Sequence, residues 1–151
     1  ARGAHHFLSV TKQGISAIVA TTGNDACHII LRGSSQGPNY DQRSVDVLAA
    51  RLAGDGLTHR LMVDFSHGNS EKDHNRQPAV AAAVAAQLAD GSDNIFGVML
   101  ESHIIEGRQD LVAGKAPTYG QSITDACISW EMTEQVLEQL AAGVRARRAR
   151  S

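Results

Sequence analysis

Three nearly continuous apolar runs, evenly spaced along the chain, constrain its fold more than any other feature. They cover residues 27–31, 61–65 and 95–100. Runs of this length and aliphatic content are typical of strands covered on both faces, as in a parallel sheet flanked by helices. They begin near residues 27, 61 and 95 and so recur every 34 residues, a spacing that suits units of one strand and one helix. A shorter apolar run over residues 6–10 is interpreted as a fourth strand.

Helical patterns separate these runs. Apolar residues at i, i+3, i+4 and i+7 predict a first helix that stops at Gly54 and Gly56. Pro78 fits the first turn of a second helix over residues 79–89. A final helix is predicted over residues 133–147, with Thr133 as its N-cap. The residues expected to turn its apolar stripe toward the sheet are Val136, Leu137, Leu140 and Val144.

Two architectures are built from such units, the doubly wound open sheet and the (β/α)₈ TIM barrel. No glycine-rich dinucleotide fingerprint follows any of the runs, so the barrel is favoured. A complete barrel needs about 250 residues, whereas this chain has 151. We therefore expect about four βα units, so that residues 1–151 make up roughly half of a single barrel domain. The chain starts without Met and soon enters a strand-like run, as expected of a chain begun in mid-fold.

A residue with chemical capability follows each clear strand. Arg32 follows CHIIL, His67 follows LMVDFS, and Glu101 follows GVML. Because barrel active sites are built at the carboxyl ends of the strands, we expect these three side chains to converge on one pocket. Asp125 would join them if the long loop after Glu101 folds back.

One imidazole and two carboxylates, from His67, Glu101 and Asp125, are suited to a divalent cation such as Mn²⁺, Fe²⁺ or Zn²⁺. Arg32 would be the anion clamp, because its guanidinium can bind a phosphate or carboxylate through two parallel hydrogen bonds. Asp64, three residues before His67, is a weaker candidate for orienting the imidazole. Spacing alone leaves open that each of these groups is an ordinary solvated or hydrogen-bonded side chain.

Composition excludes several classes of function. The net charge of -2 gives no global positive field, so neither nucleic acid nor an anionic membrane is expected as a partner. The sequence has no apolar stretch of bilayer-spanning length and no secretory signal pattern. Its two cysteines, Cys27 and Cys127, are too few for a disulfide framework, and we expect both to be reduced. A cytoplasmic protein is predicted.

Read together, five stretches resemble the C-terminal half of the type I, metal-dependent DAHP synthases, also called phospho-2-dehydro-3-deoxyheptonate aldolases. They are CHIILRG, PNY, VDFSHGNS, GVMLESHIIEG and YGQSITDACISWE. The resemblance covers nearly all of the chain, in the same order and with similar separations.

The resemblance implies a function and roles for particular residues. It implies condensation of phosphoenolpyruvate with erythrose 4-phosphate, the first step of the shikimate pathway. His67, Glu101 and Asp125 would be ligands of a divalent metal, Mn²⁺, Fe²⁺, Zn²⁺ or Co²⁺, and Arg32 would hold phosphoenolpyruvate, with Arg32 and His67 as catalytic residues. It also implies a homodimer or homotetramer.

The chain also departs from the family pattern. The family's fourth metal ligand is a cysteine on an early barrel strand, and neither Cys27 nor Cys127 takes its place. The loop that grips the sugar phosphate also has no equivalent here, so we expect the 151 residues alone to be inactive. Two other interpretations stay open: a noncatalytic half-barrel interaction module, and another metal-dependent barrel aldolase.

Overall fold

The computed structural model describes residues 1–150, which form a mixed α/β chain. The strands are β1 (His5–Val10), β2 (Ser16–Thr21), β3 (Ile30–Leu31), β4 (Leu61–Asp64), β5 (Ile95–Met99), β6 (Ile105–Arg108) and β7 (Gln121–Ser122). The α-helices are α1 (Gln42–Gly54), α2 (Gln77–Ala89) and α3 (Trp130–Arg150), and a 3₁₀ turn over His74–Arg76 precedes α2. No helix within residues 1–150 combines the length and the apolar character needed to cross a membrane.

A three-stranded parallel sheet of β3, β4 and β5, in that order, forms the centre of the molecule. Leu31 lies opposite Val63, and Asp64 lies opposite Met99, so the carboxyl ends of the three strands are side by side. Leu61 and Val63 of the central strand are fully buried, as their apolar run predicted. Of the apolar run over residues 27–31, only residues 30–31 form a strand of the sheet.

The start of each helix has a local cause in the sequence. The Asp41 carboxylate caps α1 by accepting a hydrogen bond from Ser44 N at 3.0 Å. Pro78 lies in the first turn of α2, as predicted. The predicted start of α3 at Thr133 is wrong: the helix begins at Trp130, because Ser129 Oγ accepts from Met132 N at 3.2 Å and caps it three residues earlier.

Helix α3 packs along α2, and its buried side chains share one core cluster with those of the sheet strands β4 and β5. Val136 and Leu140 are buried in the core, as predicted, but Leu137 is 49% exposed and lies off the buried stripe. The two helices approach closely at Gly143, where a Cβ atom would lie 2.6 Å from the carbonyl oxygen of Ala85. Glycine permits this approach because it has no side chain.

The segment expected to be a fourth strand of the parallel sheet lies outside it. Strands β1 and β2 pair only with each other, in an antiparallel hairpin that places Phe7 opposite Val19. Leu8 and Ile18 on this hairpin are 75% and 76% exposed. The prediction of about four βα units is therefore corrected to three, because residues 6–10 find their partner strand just along the chain.

Candidate metal centre

The ends of the parallel strands bring together three side chains that could hold a metal ion. His67 follows β4 and Glu101 follows β5, and the chain returns past β7 to place Asp125 beside them. One potential ligand atom from each residue lies within 4.8 Å of the other two. His67 Nε2 and Glu101 Oε1 are 3.6 Å apart. The expected convergence of these three groups is present.

Asp64 orients the His67 ring. The Asp64 carboxylate is buried, and its Oδ2 lies 2.8 Å from His67 Nδ1. Its other oxygen, Oδ1, accepts hydrogen bonds from Ser66 N at 2.9 Å and Ser66 Oγ at 2.6 Å. A carboxylate at this distance favours a proton on Nδ1, which leaves the lone pair of Nε2 directed toward Glu101. Asp64, a weaker candidate in the sequence, thus contacts the His67 ring directly.

The backbone of His67 is in an unusual conformation. Its φ of 52° lies in the left-handed region, as do those of Glu71 and Lys72 further along the same loop. Left-handed backbone costs a residue with a side chain roughly 1–3 kcal/mol, so surrounding contacts must hold it. The hydrogen bond between Gly68 N and the Arg32 carbonyl oxygen, at 3.0 Å, is one such contact.

The loops carrying Arg32 and His67 touch through their glycines. Gly33 has a φ of 79°, and a Cβ atom there would lie 2.4 Å from the carbonyl carbon of Gly68. Only glycine at position 33 allows both this conformation and this approach. The Arg32 side chain, which was expected in the same pocket, is exposed and is not among the residues that line the cleft, but it lies close enough to Glu101 to oppose the rise of that carboxyl's pKa.

Asn69, which was not a predicted site residue, connects the same two loops through hydrogen bonds of its side chain. Its buried amide nitrogen donates to the carbonyl oxygens of Leu31 at 3.1 Å and Asp64 at 2.7 Å. Its amide oxygen accepts from Asn39 N at 2.9 Å. A buried amide with three partners holds the ends of β3 and β4 at a set separation. Only its position in SHGNS, two residues after His67, marked it in the sequence.

The residues on either side of Asp125 are hydrogen-bonded to the segment that follows Glu101. Gly107 and Cys127 exchange backbone hydrogen bonds of 2.8 Å and 3.1 Å. Arg108 Nε donates to the carbonyl oxygen of Thr124 at 2.9 Å. These bonds fold the long loop back onto the strand ends and account for the position of Asp125.

Burial raises the pKa of Glu101, and the nearby carboxylates of Asp125 and Asp64 act in the same direction. His67 and Arg32 oppose that rise. Three carboxylates so close together repel one another when ionised, and a bound cation would relieve the repulsion. The electrostatics of the site therefore favour a positive ion between these side chains.

The donor set fits a divalent cation. Two atoms bound to one ion at about 2.1 Å lie roughly 3 to 4 Å apart, close to the distance between His67 Nε2 and Glu101 Oε1. Burial raises the pKa of the Cys127 thiol, and this cysteine donates its proton toward the Asp125 carbonyl oxygen at 3.5 Å. A thiol kept protonated is a poor metal ligand.

The three groups line a cleft of about 200 Å³. Two basic side chains that the sequence analysis did not assign to the site, Lys72 and Arg108, also line it. So does His74, which was not assigned to the site either. The remaining lining residues are Ser70, Gln77 and Ala126. A cation site with basic side chains on its walls suits an anionic ligand.

Fold and site together define a parallel α/β chain whose strand ends gather a histidine, two carboxylates and basic groups around a cleft. The chain belongs to the DAHP synthetase I family, whose sequence profile matches residues 1–138. This confirms the resemblance seen in the sequence motifs.

Individual relatives agree with this assignment. A phospho-2-dehydro-3-deoxyheptonate aldolase of Haemophilus influenzae is 57% identical over 148 residues, which are 98% of this chain and 41% of that protein. The Phe-sensitive aldolase of Escherichia coli K12 is 53% identical over 149 residues, 98% of this chain and 42% of that protein. The solved structure of the Francisella tularensis aldolase matches with a TM-score of 0.88 at 47% identity, covering 98% of this chain and 43% of that one. The chain thus spans about two fifths of the length of these relatives.

Proposed function

We propose that this chain is the C-terminal half of the TIM-barrel catalytic domain of a DAHP synthase. The observation that carries the proposal is the convergence of His67, Glu101 and Asp125 at adjacent strand ends, in a chain of the DAHP synthetase I family. The three parallel βα units are consistent with part of a barrel. The relatives bear the name of the same aldolase.

The proposed reaction joins two phosphorylated substrates. The enol carbon C3 of phosphoenolpyruvate forms a carbon–carbon bond with the aldehyde carbon of erythrose 4-phosphate. Water adds at C2 of phosphoenolpyruvate, and the phosphate on that carbon leaves as inorganic phosphate. The products are 3-deoxy-D-arabino-heptulosonate 7-phosphate and phosphate.

Arg32 is the proposed phosphoenolpyruvate-binding residue. Its exposed side chain follows β3 and is near enough to Glu101 to act on that carboxylate, and its guanidinium can form paired hydrogen bonds with a carboxylate or phosphate group. Lys72 and Arg108 line the cleft and add positive charge, which suits two substrates that each carry one phosphate group. Arg32 thereby holds the enol substrate in place for attack.

His67, Glu101 and Asp125 would hold a divalent metal, with Mn²⁺, Fe²⁺, Zn²⁺ and Co²⁺ as the candidates. The chemistry gained from such an ion is Lewis acidity toward the aldehyde oxygen of erythrose 4-phosphate. Asp64 keeps the His67 ring turned so that Nε2 faces the site. His67 is therefore proposed as a catalytic residue, because it would hold the ion that acts on the aldehyde oxygen.

A composite enzyme tests this function. In it, the present chain replaces the matching 148-residue segment of the Haemophilus influenzae aldolase. We expect the composite to form the heptulosonate when given Mn²⁺ and both substrates, and the 151 residues alone to form none. In the composite, Glu101→Gln should lower activity at least a hundredfold, because it removes a negatively charged ligand.

Glu134→Gln is the matched control, since it makes the same change on an exposed position of α3. It should leave activity within twofold of the parent composite. A folded composite without activity and without affinity for Mn²⁺ would overturn the proposal and favour the noncatalytic half-barrel module.

We also propose that the parent protein is a homodimer or homotetramer. The β1–β2 hairpin presents exposed apolar side chains, including Leu8, Val10 and Ile18, and such surfaces are typical of association sites. Light scattering coupled to size-exclusion chromatography measures the mass directly. A monomeric composite would contradict this proposal.

A further inference from the structure

Gln77 makes a two-sided contact with the backbone of Glu101. The Gln77 side chain is 1% exposed, although it lies in the first turn of α2 beside the cleft. Its Oε1 accepts from Glu101 N at 2.9 Å, and its Nε2 donates to the Glu101 carbonyl oxygen at 3.1 Å. The carboxamide thus pairs with Glu101 as a neighbouring strand would.

This contact falls where the sheet no longer fixes the backbone. Strand β5 ends at Met99, two residues before Glu101, so the sheet ladder does not hold position 101. On the other side, the Glu101 carbonyl oxygen accepts from Ile128 N at 3.0 Å, in the segment that carries Asp125. The Glu101 peptide is therefore held between α2 and that segment.

We propose that Gln77 is a positioning residue for the candidate metal centre. By holding both backbone polar atoms of Glu101, it keeps the carboxylate 3.6 Å from His67 Nε2 before any ion binds. An ion then binds to ligands that are already in place, so binding loses less conformational entropy. This inference rests on the proposed function, because it assigns Gln77 a role at the same site.

The test compares two buried glutamines of one helix. Gln77→Met keeps the side-chain length and removes both hydrogen bonds to Glu101. Gln87→Met is the matched control: Gln87 is also buried on α2, and its Nε2 donates to the Tyr40 carbonyl oxygen at 2.8 Å, at the other end of the helix. Both substitutions are made in the composite enzyme. Mn²⁺ dissociation constants are measured by electron paramagnetic resonance, and melting temperatures are measured in EDTA.

We expect Gln77→Met to weaken Mn²⁺ binding at least tenfold, as loss of a group that supports a metal ligand typically does. Gln87→Met should leave the dissociation constant within twofold, even if it lowers the melting temperature as much. Activity gives a second readout: the Mn²⁺ concentration for half-activation should rise in parallel, while kcat at saturating Mn²⁺ recovers to within about threefold.

If the methionine variant does not fold, Gln77→Asn tests the role of Gln77 instead. It keeps a polar amide but withdraws it by one methylene group, so it cannot reach both Glu101 atoms, and the same tenfold weakening is expected. An unchanged Mn²⁺ dissociation constant in a folded variant would overturn the role of Gln77. Absence of Mn²⁺ binding by the parent composite would instead overturn the proposed function, and with it the reason to assign Gln77 a role.

Discussion

At the scale of single residues, Asp64 determines which nitrogen of His67 faces the cleft. The 2.8 Å contact between Asp64 Oδ2 and His67 Nδ1 joins a buried carboxylate to a ring that is one-third exposed. Because Ser66 occupies the other carboxylate oxygen, Asp64 has little freedom to turn away. In the proposed metal site, Asp64 would thus orient the imidazole without itself touching the ion.

Asp64→Asn tests this arrangement. The amide can present an N–H to His67 Nδ1 and so favour the tautomer with its proton on Nε2, and a protonated Nε2 has no lone pair to offer a metal in the cleft. We expect Mn²⁺ affinity of the composite to fall roughly 10- to 100-fold, measured by calorimetric titration. Asp90→Asn, an exposed change at the end of α2, is the control and should have no effect. Equal affinities for the parent and Asp64→Asn would show that the ring does not depend on Asp64.

At the scale of elements, helix α1 illustrates how one cap sets the start of a helix. Asp41 has extended backbone and accepts hydrogen bonds from both Ser44 N and Ser44 Oγ. These bonds lower the pKa of Asp41, with the Ser44 side chain as the largest cause. Because the ionised form is favoured in the folded chain, its stabilising effect is complete above the ordinary pKa and is lost as the pH falls through the lowered value.

We therefore expect Asp41→Ala to reduce the free energy of unfolding of the 151-residue chain by about 1 kcal/mol at pH 7. The difference should shrink as the pH drops below the ordinary value of 3.8. Asp41→Asn keeps a good N-cap that does not titrate, so its difference from the alanine variant should not change with pH. Urea unfolding at pH 7 and pH 3 measures all three proteins. A stability gap between the parent chain and Asp41→Ala that widens in acid would contradict this account.

The strand ends were predictable, whereas the return of Asp125 to them was not. A buried strand needs a continuous apolar run, and polarity returns where the strand leaves the sheet, at Arg32, His67 and Glu101. The segment before Asp125 has no such pattern. Its path is set by hydrogen bonds from Gly107 and Arg108, which are distant in sequence and have no periodic signal.

Two further features lay beyond the reach of local patterns. The apolar run over residues 6–10 has the composition of a buried strand, but its pairing partner decides its exposure, and that partner is β2 rather than β3. The buried amides of Asn69 and Gln77 were missed because polar residues in loops and first helical turns are usually solvated. Only the folded chain shows that their partners are backbone atoms of the site.

At the scale of the whole molecule, metal binding and folding are linked because the three candidate ligands come from distant parts of the chain. His67, Glu101 and Asp125 meet only when the sheet and the returning loop are both formed. An ion that binds the folded protein and not the unfolded chain must stabilise the fold by an amount set by its concentration and affinity. The stability of the composite enzyme should therefore depend on Mn²⁺.

We expect Mn²⁺ at about 100 times its dissociation constant to raise the free energy of unfolding by about 2.7 kcal/mol. Asp125→Asn weakens the ligand set, so at the same Mn²⁺ concentration the gain should fall to less than half. EDTA should remove the gain in both proteins. Urea unfolding with and without Mn²⁺ measures these differences. If Asp125→Asn gained as much stability from Mn²⁺ as the parent, the ion would be binding elsewhere. Weakening a true ligand lowers the affinity for Mn²⁺ and therefore the stability that Mn²⁺ adds.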